Sequence, residues 1–388
     1  MAPVAGAQKR ILLGQLAARG DCLYATAVAR QIKADFPGCH LTWAIGSMCR
    51  EILDGNPDVD AVWEVPLKNH AGVVAAWLQF EQAAGERRRN GEFDEVFFTQ
   101  IYPANFKNYD YTVRASIFRG YPRAVTVPVA PVVNLRADEI ENVRRFAELH
   151  GLTKNSATIL FEFASGSGQT FVDFEFAAAA AARIIARLPE CKIVMTSQLS
   201  LDSTDPRVIS GHTLSFRENA ELTRYCSLLI GCSSGITWLC TSSAAKPLPT
   251  IQLLKKAKGA YASVVHDHEY FGLPTEHIIE MTECPVDHLV DCVVAGLRDG
   301  FARAKPRFHV RLQPDFRSYT PMALPLINAG AYGDVLQSNW HILRRYGPRP
   351  AVLALHFHTL VNIGRQLIAN AGGRIAAWFN PSNRDGKH

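Results

Sequence analysis

One carboxylate near the start of the chain stands where it could do chemistry. Asp21 is the only acidic residue between Met1 and Asp35, and it follows Gly20 where a short apolar run gives way to a helical pattern. One interpretation is an N-cap that accepts hydrogen bonds from the first free N–H groups of the helix. The other is a general base in a cleft, which takes a proton from a substrate hydroxyl. An unperturbed aspartate has a pKa of about 4, so we expect Asp21 to be ionised at neutral pH without any upward shift.

A turn of small residues, "EFASGSGQTF" (162–171), follows a predicted strand and could hold a phosphate. Backbone N–H groups in such a turn bind anions, particularly where a helix begins nearby. As a G-x-G-x-x-G fingerprint the segment is incomplete, because Phe171 stands where the third glycine belongs. The alternative is an ordinary strand-to-helix turn. The candidate donor-binding residues in this turn are Ser165, Gly166, Ser167, Gly168 and Gln169.

A second turn, "LLIGCSSGITWLC" (228–240), has the same arrangement of a buried strand, small residues and a helix. The free N–H groups and the positive end of that helix would face the carboxyl edge of the sheet, where an anion is stabilised. The alternative is simple capping of the helix by a serine. The candidate donor-binding residues here are Ser233, Ser234, Gly235 and Ile236.

The elements that would position these residues alternate between strand and helix. Such alternation with short connections predicts parallel sheets with helices on both faces. Predicted strands are 9–15, 39–46, 60–66, 94–102, 124–129, 156–164, 191–198, 227–232 and 248–254. Predicted helices are 22–36, 47–56, 73–89, 137–152, 174–189, 219–226 and 235–244.

Because the pattern restarts after residue 152, we predict two doubly wound Rossmann-like α/β domains facing a central cleft, which is the default ligand site. The predicted domains are 1–152 and 153–304, followed by a basic, mainly helical extension at 305–388.

Composition narrows the class of protein. The chain has 388 residues, of which 48% are hydrophobic and 20% charged, as in ordinary globular proteins. No uninterrupted apolar run reaches the length of about 18 residues that a membrane-spanning helix needs, and the start does not resemble a secretory signal. None of the nine cysteines forms a C-x-x-C pair, so neither a zinc site nor a disulfide framework is predicted. A reducing cytoplasm is the expected compartment.

Positive charge is concentrated at the end of the chain. Residues 301–388 carry a formal charge of +9, whereas the first 300 residues carry −4. This asymmetry favours a local anionic partner over a uniformly basic surface, and no nucleic-acid partner is expected. The tail could lie on an anionic membrane face near a lipid-linked substrate. Alternatively, it packs back on the N-terminal domain.

Four stretches together resemble glycosyltransferase family nine, the bacterial heptosyltransferase-like enzymes with the GT-B fold. They cover about residues 10–300 and are, in order, "GDCLYATAVARQIKADFPGCHLTWAI", "ILDGNPDVDAVWEV", "FASGSG" and "ELTRYCSLLIGCSSGITWLC". The resemblance implies inverting, metal-independent transfer of heptose or a related sugar from a nucleotide-diphosphate donor. The acceptor would be a hydroxyl of a bacterial surface glycan or glycolipid, as in lipopolysaccharide biosynthesis, and no cofactor is implied.

The resemblance also implies roles for individual residues. The family's base matches Asp21, with Arg19 and Gly20 on the acceptor side, and its donor-phosphate turn matches Ser233 to Gly235. The chain departs from the family at this turn, because Ser233 replaces the usual aspartate and Trp238 a frequent histidine.

A further departure concerns positive charge near the donor. No lysine follows "GSGQ", where many members of the family carry one. The departing diphosphate would need another source of stabilisation. Lys255 and Lys256 are candidates for that cation, unless they are only a solvated surface pair.

Two other functions compete with sugar transfer. A nucleotide-sugar epimerase would need a second acid or base, for which Glu162 or His212 could serve. A nucleotide-binding protein that has lost catalysis is the third possibility, which the loss of the aspartate at Ser233 favours. A Rossmann dehydrogenase is disfavoured because neither glycine turn completes the dinucleotide fingerprint.

Overall fold

Ten parallel strands form two separate sheets in a computed structural model of the chain, which describes residues 8–153, 157–163, 166, 168–197, 203–258 and 263–379. The strands of the first sheet are β1 (Arg10–Gly14), β2 (His40–Gly46), β3 (Ala61–Val65) and β4 (Glu95–Phe98). Those of the second are β5 (Thr158–Glu162), β6 (Lys192–Thr196), β7 (Val208–Ser210), β8 (Leu228–Gly231), β9 (Thr250–Leu254) and β10 (Ile278–Thr282).

Helices connect the strands and form the C-terminal part of the chain. The α-helices are α1 (Arg19–Asp35), α2 (Val73–Arg89), α3 (Arg114–Arg119), α4 (Ala137–Leu149), α5 (Phe174–Arg187), α6 (Glu218–Leu222), α7 (Gly235–Leu239), α8 (Val264–Tyr270), α9 (Val286–Asp299), α10 (Phe301–Phe308), α11 (Tyr319–Asn328), α12 (Tyr332–Tyr346) and α13 (Pro350–Phe379). Short 3-10 helices occur at Ser47–Leu53, His70–Gly72, Phe106–Asn108, Thr223–Tyr225, Lys256–Lys258 and Phe316–Ser318.

The strand order defines where a ligand can bind. The first sheet has the order β3-β2-β1-β4, and the second has β10-β9-β8-β5-β6-β7. In each sheet the direction of winding reverses once, beside β1 in the first and between β5 and β8 in the second. Ligands of such sheets bind outside the carboxyl ends of the strands at this switch point. Asp21 lies in the first turn of α1, which follows β1, and the glycine and serine turns follow β5 and β8. All three sequence candidates therefore lie at switch points.

The second sheet is buried on both faces, as its continuous apolar strands require. Successive side chains of a strand point to opposite faces. Ile159 and Phe161 therefore join a core with α5 and α9, while Leu160 joins a core with α4 and α6. The predicted α/β architecture of two parallel sheets with a helical C-terminal extension is confirmed.

Several sequence-based assignments differ from the structure, and three of them lie around the first sheet. The predicted strand 124–129 is irregular, because the side-chain oxygen of Gln31 accepts the backbone N–H groups of Thr126 and Val127 at 2.8 and 3.1 Å. Those groups are consequently not free for a ladder. The predicted helix 47–56 is the 3-10 helix Ser47–Leu53, and α1 begins three residues before the predicted start.

By its internal contacts the chain divides into two units. One consists of Met1–Ala104 with Thr112–Pro314 and contains both sheets; the other consists of Asn105–Tyr111 with Asp315–His388. In the second unit, the rings of Tyr109 and Tyr319 stack with centroids 6.3 Å apart, and Arg345 pairs with the buried Asp110 at 3.0 Å. The predicted packing of the tail on the N-terminal domain stays a prediction. Among the described residues, no helix is both long and apolar enough to cross a bilayer.

A buried arginine joins the parts of the first unit. The Arg217 guanidinium, just before α6, donates to the Glu139 carboxylate on α4 at 2.7 Å, and both side chains are almost fully buried. It also donates to the backbone carbonyls of Glu51 and Asp54, each at 3.0 Å, in the segment after β2. These bonds connect the residue before α6, a helix that precedes the serine turn, to the segment that follows β2 of the first sheet.

Breaking this ion pair should be costly. Arg217→Gln leaves the buried Glu139 carboxylate with only the more exposed Arg136, at 3.5 Å, as a charged partner, and loss of the buried partner of such a pair typically costs about 3–5 kcal/mol of unfolding free energy. The double variant Arg217→Gln/Glu139→Gln should recover part of that loss, because no charge is stranded. Urea unfolding of the three proteins checks this, and equal loss in the single and double variants would contradict it.

Candidate active site

A cavity of about 970 Å³ lies between the carboxyl ends of the two sheets. Its volume is in the range of pockets that hold cofactors and drug-sized ligands. Of the predicted site residues, those that line it are Arg19, Gly20, Asp21, Gly166, Gln169, Ser233, Ser234, Gly235 and Ile236. The structure thus brings together residues that lie more than 200 positions apart in the sequence.

Direct packing holds the two sides of the cavity close to each other. A Cβ atom built on Gly20 would lie 3.3 Å from the Trp238 ring on α7, and one on Gly235 would lie 3.2 Å from the Cβ of Arg19. The Arg19 guanidinium lies over the Phe216 ring at 5.3 Å and pairs with Glu51 at 3.1 Å. The start of α1 therefore faces the start of α7 at van der Waals distance.

Asp21 is not the N-cap of α1. Ala18 holds that position and has no side-chain cap, whereas Asp21 is the third residue of the helix, with its carboxyl in the cavity wall. Burial raises its pKa to about 7, and a backbone hydrogen bond with Ala18 only partly opposes this rise. Burial therefore shifts this carboxyl away from the unperturbed value that the sequence led us to expect, and its base form gains population as the pH rises.

Two backbone N–H groups of the serine turn already donate to protein side chains. The backbone N–H of Cys232 donates to Glu162 at 2.8 Å, and that of Ser233 donates to the Gln252 side chain at 2.9 Å. Ser233 adopts a positive φ of 52°, and Ser234 is the N-cap of α7, accepting the Ile236 N–H at 3.3 Å. The capping interpretation of Ser234 is thus confirmed, and the turn has fewer free N–H groups for an anion than we predicted.

Glu162 is a second carboxyl in the cavity wall, and unlike the half-buried Asp21 it is fully buried. It ends β5, is 2% exposed, and accepts hydrogen bonds from the Ser234 hydroxyl and, at 2.8 Å, from the Thr237 hydroxyl. Burial raises its pKa to about 7 despite these bonds and that from Cys232. When ionised, Glu162 opposes a phosphate at the serine turn. Sequence analysis named this residue only as an epimerase alternative, although its place at the end of a strand was a usable signal.

The glycine turn is described in part. Gly166 and Gln169 line the cavity, Gly168 has a positive φ of 66° and does not line it, and Ser165 and Ser167 lie outside the described residues. The Gln169 carbonyl accepts the Lys255 N–H at 2.8 Å, which brings this turn to the end of β9.

The predicted cations are not those that line the cavity. Lys255 and Lys256 are exposed and are absent from its walls in the described part of the chain. Arg19, Lys68 and Arg114 line it instead, and two histidines, His70 and His212, also belong to its walls. Sequence analysis missed Arg114, because the segment around it carries no motif.

Possible metal ligands are scattered. In the part of the chain that the structure describes, no three His, Cys, Asp or Glu side chains are grouped as a metal site would require. All nine cysteines lie in that part, and they are free thiols.

Replacing Asp21 should change stability in a pH-dependent way. A carboxyl whose pKa is higher in the folded than in the unfolded chain lowers stability as the pH rises from about 4 to about 7. Asp21→Asn removes this term, so the variant should be more stable than the wild type at pH 8 and similar at acidic pH. Urea unfolding at both pH values measures the difference.

The exposed Asp299, at the end of α9, provides a matched control, and Asp299→Asn should shift stability equally little at both pH values. A marked loss of stability in Asp21→Asn at pH 8 would show that the carboxylate has a structural role.

Comparison with known proteins bears on the fold. No protein-family model and no curated protein matches the sequence. The structure of the glycosyl transferase family 9 protein from Veillonella parvula DSM 2008 is 15% identical and superposes with a TM-score of 0.52, covering 76% of this chain and 93% of its own. The Escherichia coli ADP-heptose LPS heptosyltransferase II is 12% identical with a TM-score of 0.52, covering 76% of this chain and 99% of its own. The chain therefore has the α/β fold of these glycosyltransferases, with two parallel sheets, as its sequence motifs predicted.

Proposed function

We propose that this protein is an inverting, metal-independent glycosyltransferase that transfers a sugar from a nucleotide-diphosphate donor to a hydroxyl group. One observation carries the proposal: the Asp21 carboxyl, at the switch point of the first sheet, faces a cavity whose opposite wall is the serine turn at the switch point of the second. Two solved structures with this fold are a family 9 glycosyl transferase and a heptosyltransferase.

The mechanism requires a deprotonated acceptor and a stabilised leaving group. Asp21 accepts the proton of the acceptor hydroxyl while that oxygen forms a bond to the anomeric carbon. The bond from this carbon to the diphosphate oxygen breaks at the same time, and its electron pair leaves with the diphosphate. Direct displacement inverts the anomeric configuration. A base whose pKa is near the working pH suits proton transfer, so the raised pKa of Asp21 matches this role.

The two sides of the cavity would divide the substrates between them. The donor would occupy the side of the glycine and serine turns, and the acceptor the side of Arg19, Gly20 and Asp21. Heptose or a related sugar, and a bacterial surface glycan or glycolipid, are the substrates that the family resemblance favours.

An epimerase remains the second candidate because of one observation. Glu162 and His212, the residues that such chemistry could recruit, line the same cavity as Asp21. Incubating nucleotide-sugars with the protein in heavy water, without an acceptor, separates the two functions. Deuterium in the recovered sugar would indicate epimerisation, whereas its absence favours transfer.

Transfer should depend on Asp21 and on pH. With a donor chosen by screening nucleotide-sugars for thermal stabilisation, Asp21→Asn should lower the rate of transfer by about 10²–10⁴-fold, because the base is lost. It should keep donor binding. In the wild type the rate should rise with pH through about 7, as Asp21 ionises. Asp299→Asn serves as the control. Near wild-type transfer by Asp21→Asn would contradict the base assignment.

We further propose that the protein works on the cytoplasmic side of the membrane and binds its surface through α13. Leu353, Phe357, Leu360 and Leu367 recur at helical spacing on α13, and each is at least half exposed. Val352 and Ile363 on the same helix are buried, so α13 has a packed face and an exposed apolar face. Together with the +9 charge of residues 301–388, this matches a helix that lies on anionic lipid.

Vesicle flotation tests the membrane proposal. The wild type should float with anionic phosphatidylglycerol vesicles, and the triple variant Phe357→Ser/Leu360→Ser/Leu367→Ser should lose binding by at least about tenfold, since three apolar side chains no longer enter lipid. Leu78→Ser/Leu149→Ser removes exposed apolar residues outside the tail and should bind normally. Equal flotation of the triple variant and the wild type would contradict the proposal.

A further inference from the structure

Arg114 is a buried cation in the cavity wall with unused hydrogen-bond donors. It begins α3, is 1% exposed, and lines the cavity that also contains Asp21. One terminal nitrogen, Nη2, pairs with the Asp267 carboxylate at 3.2 Å. Its Nε and Nη1 atoms have no hydrogen-bond partner among the described residues. A guanidinium carries five N–H donors and is always charged. Burial of two of its nitrogens without hydrogen-bond partners therefore costs free energy, unless a ligand supplies the acceptors.

Aromatic rings fix the position of this guanidinium. Its carbon lies 4.5 Å from the ring centroid of Tyr24, 5.4 Å from that of Phe271 and 5.8 Å from that of Trp238. Rings stabilise a cation through their faces and leave the N–H groups at its edge available. The arrangement therefore holds a preorganised positive charge rather than a mobile surface arginine.

The location of Arg114 connects it to both proposed substrate sides. Tyr24 is three residues after Asp21 on α1 and therefore on the same helix face. Trp238 belongs to α7, the helix that starts at the serine turn, and its ring lies against Gly20. Three of the residues around the guanidinium, Trp238, Asp267 and Phe271, come from the half that carries that turn.

This wall of the cavity needs a cation if it is to accept a diphosphate. The Glu162 carboxyl at the end of β5 lies against the serine turn, and two N–H groups of the turn are bonded to protein groups. Lys255 and Lys256 do not line the cavity. The Arg19 guanidinium, although its residue packs against Gly235, pairs with Glu51 at 3.1 Å. Arg114, by contrast, extends to this wall from α3, which follows the strands of the first sheet. Within the described part of the chain, its Nε and Nη1 atoms have no hydrogen-bond partner.

We propose that Arg114 receives a phosphate oxygen of the donor diphosphate through its unpaired N–H groups, and that it supplies across the cavity the positive charge that the serine turn lacks. The assignment rests on the proposed function, because it takes the ligand to be a nucleotide-diphosphate sugar. In the reaction, Arg114 would stabilise the charge that develops on the departing diphosphate.

Calorimetric titration with ADP, UDP and GDP, and with the corresponding nucleosides, tests this assignment. Arg114→Gln should weaken binding of the preferred nucleoside diphosphate by about 10- to 100-fold, the usual range for a lost charge-assisted hydrogen bond. Binding of the nucleoside alone should change little. Arg114→Lys, which keeps the charge but not the planar donors, should fall between Arg114→Gln and the wild type. Arg119→Gln, at the other end of α3 and away from the cavity walls, is the matched control.

Each outcome bears on a separate claim. Equal affinity of Arg114→Gln and the wild type for the diphosphate, or an equal loss for diphosphate and nucleoside, would overturn the assignment. If Arg114→Gln does not fold, the comparison of Arg114→Lys with the wild type decides in the same way. If the diphosphate binds through Arg114 but no sugar is transferred, the proposed function fails while the phosphate site stands.

Discussion

Desolvation of carboxyl groups at the carboxyl edges of the two sheets is the constraint on which the site depends. The two parallel sheets face the same cavity with the carboxyl ends of their strands, and the chain segments around that cavity remove water from the groups at these ends. Asp21 lies in the first turn of α1 and Glu162 at the end of β5, and desolvation raises the pKa of each to about 7. The fold thereby places two groups whose pKa is raised towards neutrality in the walls of one cavity, which is the condition that acid–base chemistry at physiological pH needs.

The two carboxyls have different surroundings, and we infer different roles from this. Glu162 accepts hydrogen bonds from a backbone N–H and two hydroxyls, which fix its position and link β5 to α7. Asp21 has one backbone partner and faces the cavity. A group with few internal partners is the better base, because its lone pairs remain available to a substrate. When ionised, Glu162 places a negative charge beside the serine turn, so an anion bound there needs a compensating cation.

The sequence predicted the architecture well because its signals were local. Apolar runs of strand length, alternating with helical patterns, are enough to indicate parallel sheets, and small residues after the strands mark the switch-point turns. The segment 124–129 failed because the competing group, the Gln31 side chain, lies about 95 positions away in the sequence. Arg114 was missed for the same reason. Its ion-pair partner Asp267 and the Trp238 ring beside it are more than 120 positions away in the sequence. The pKa of Asp21 likewise depends on enclosure by distant segments, which no local pattern reveals.

The titration of Asp21 itself tests the central claim most directly. Infrared difference spectra between the wild type and Asp21→Asn isolate the carbonyl band of this one protonated carboxyl. The account predicts that the band disappears with a midpoint at a pH of about 7. A midpoint at a pH of about 4, the value of a solvated aspartate, would show that the carboxyl is not enclosed as described and would contradict the account.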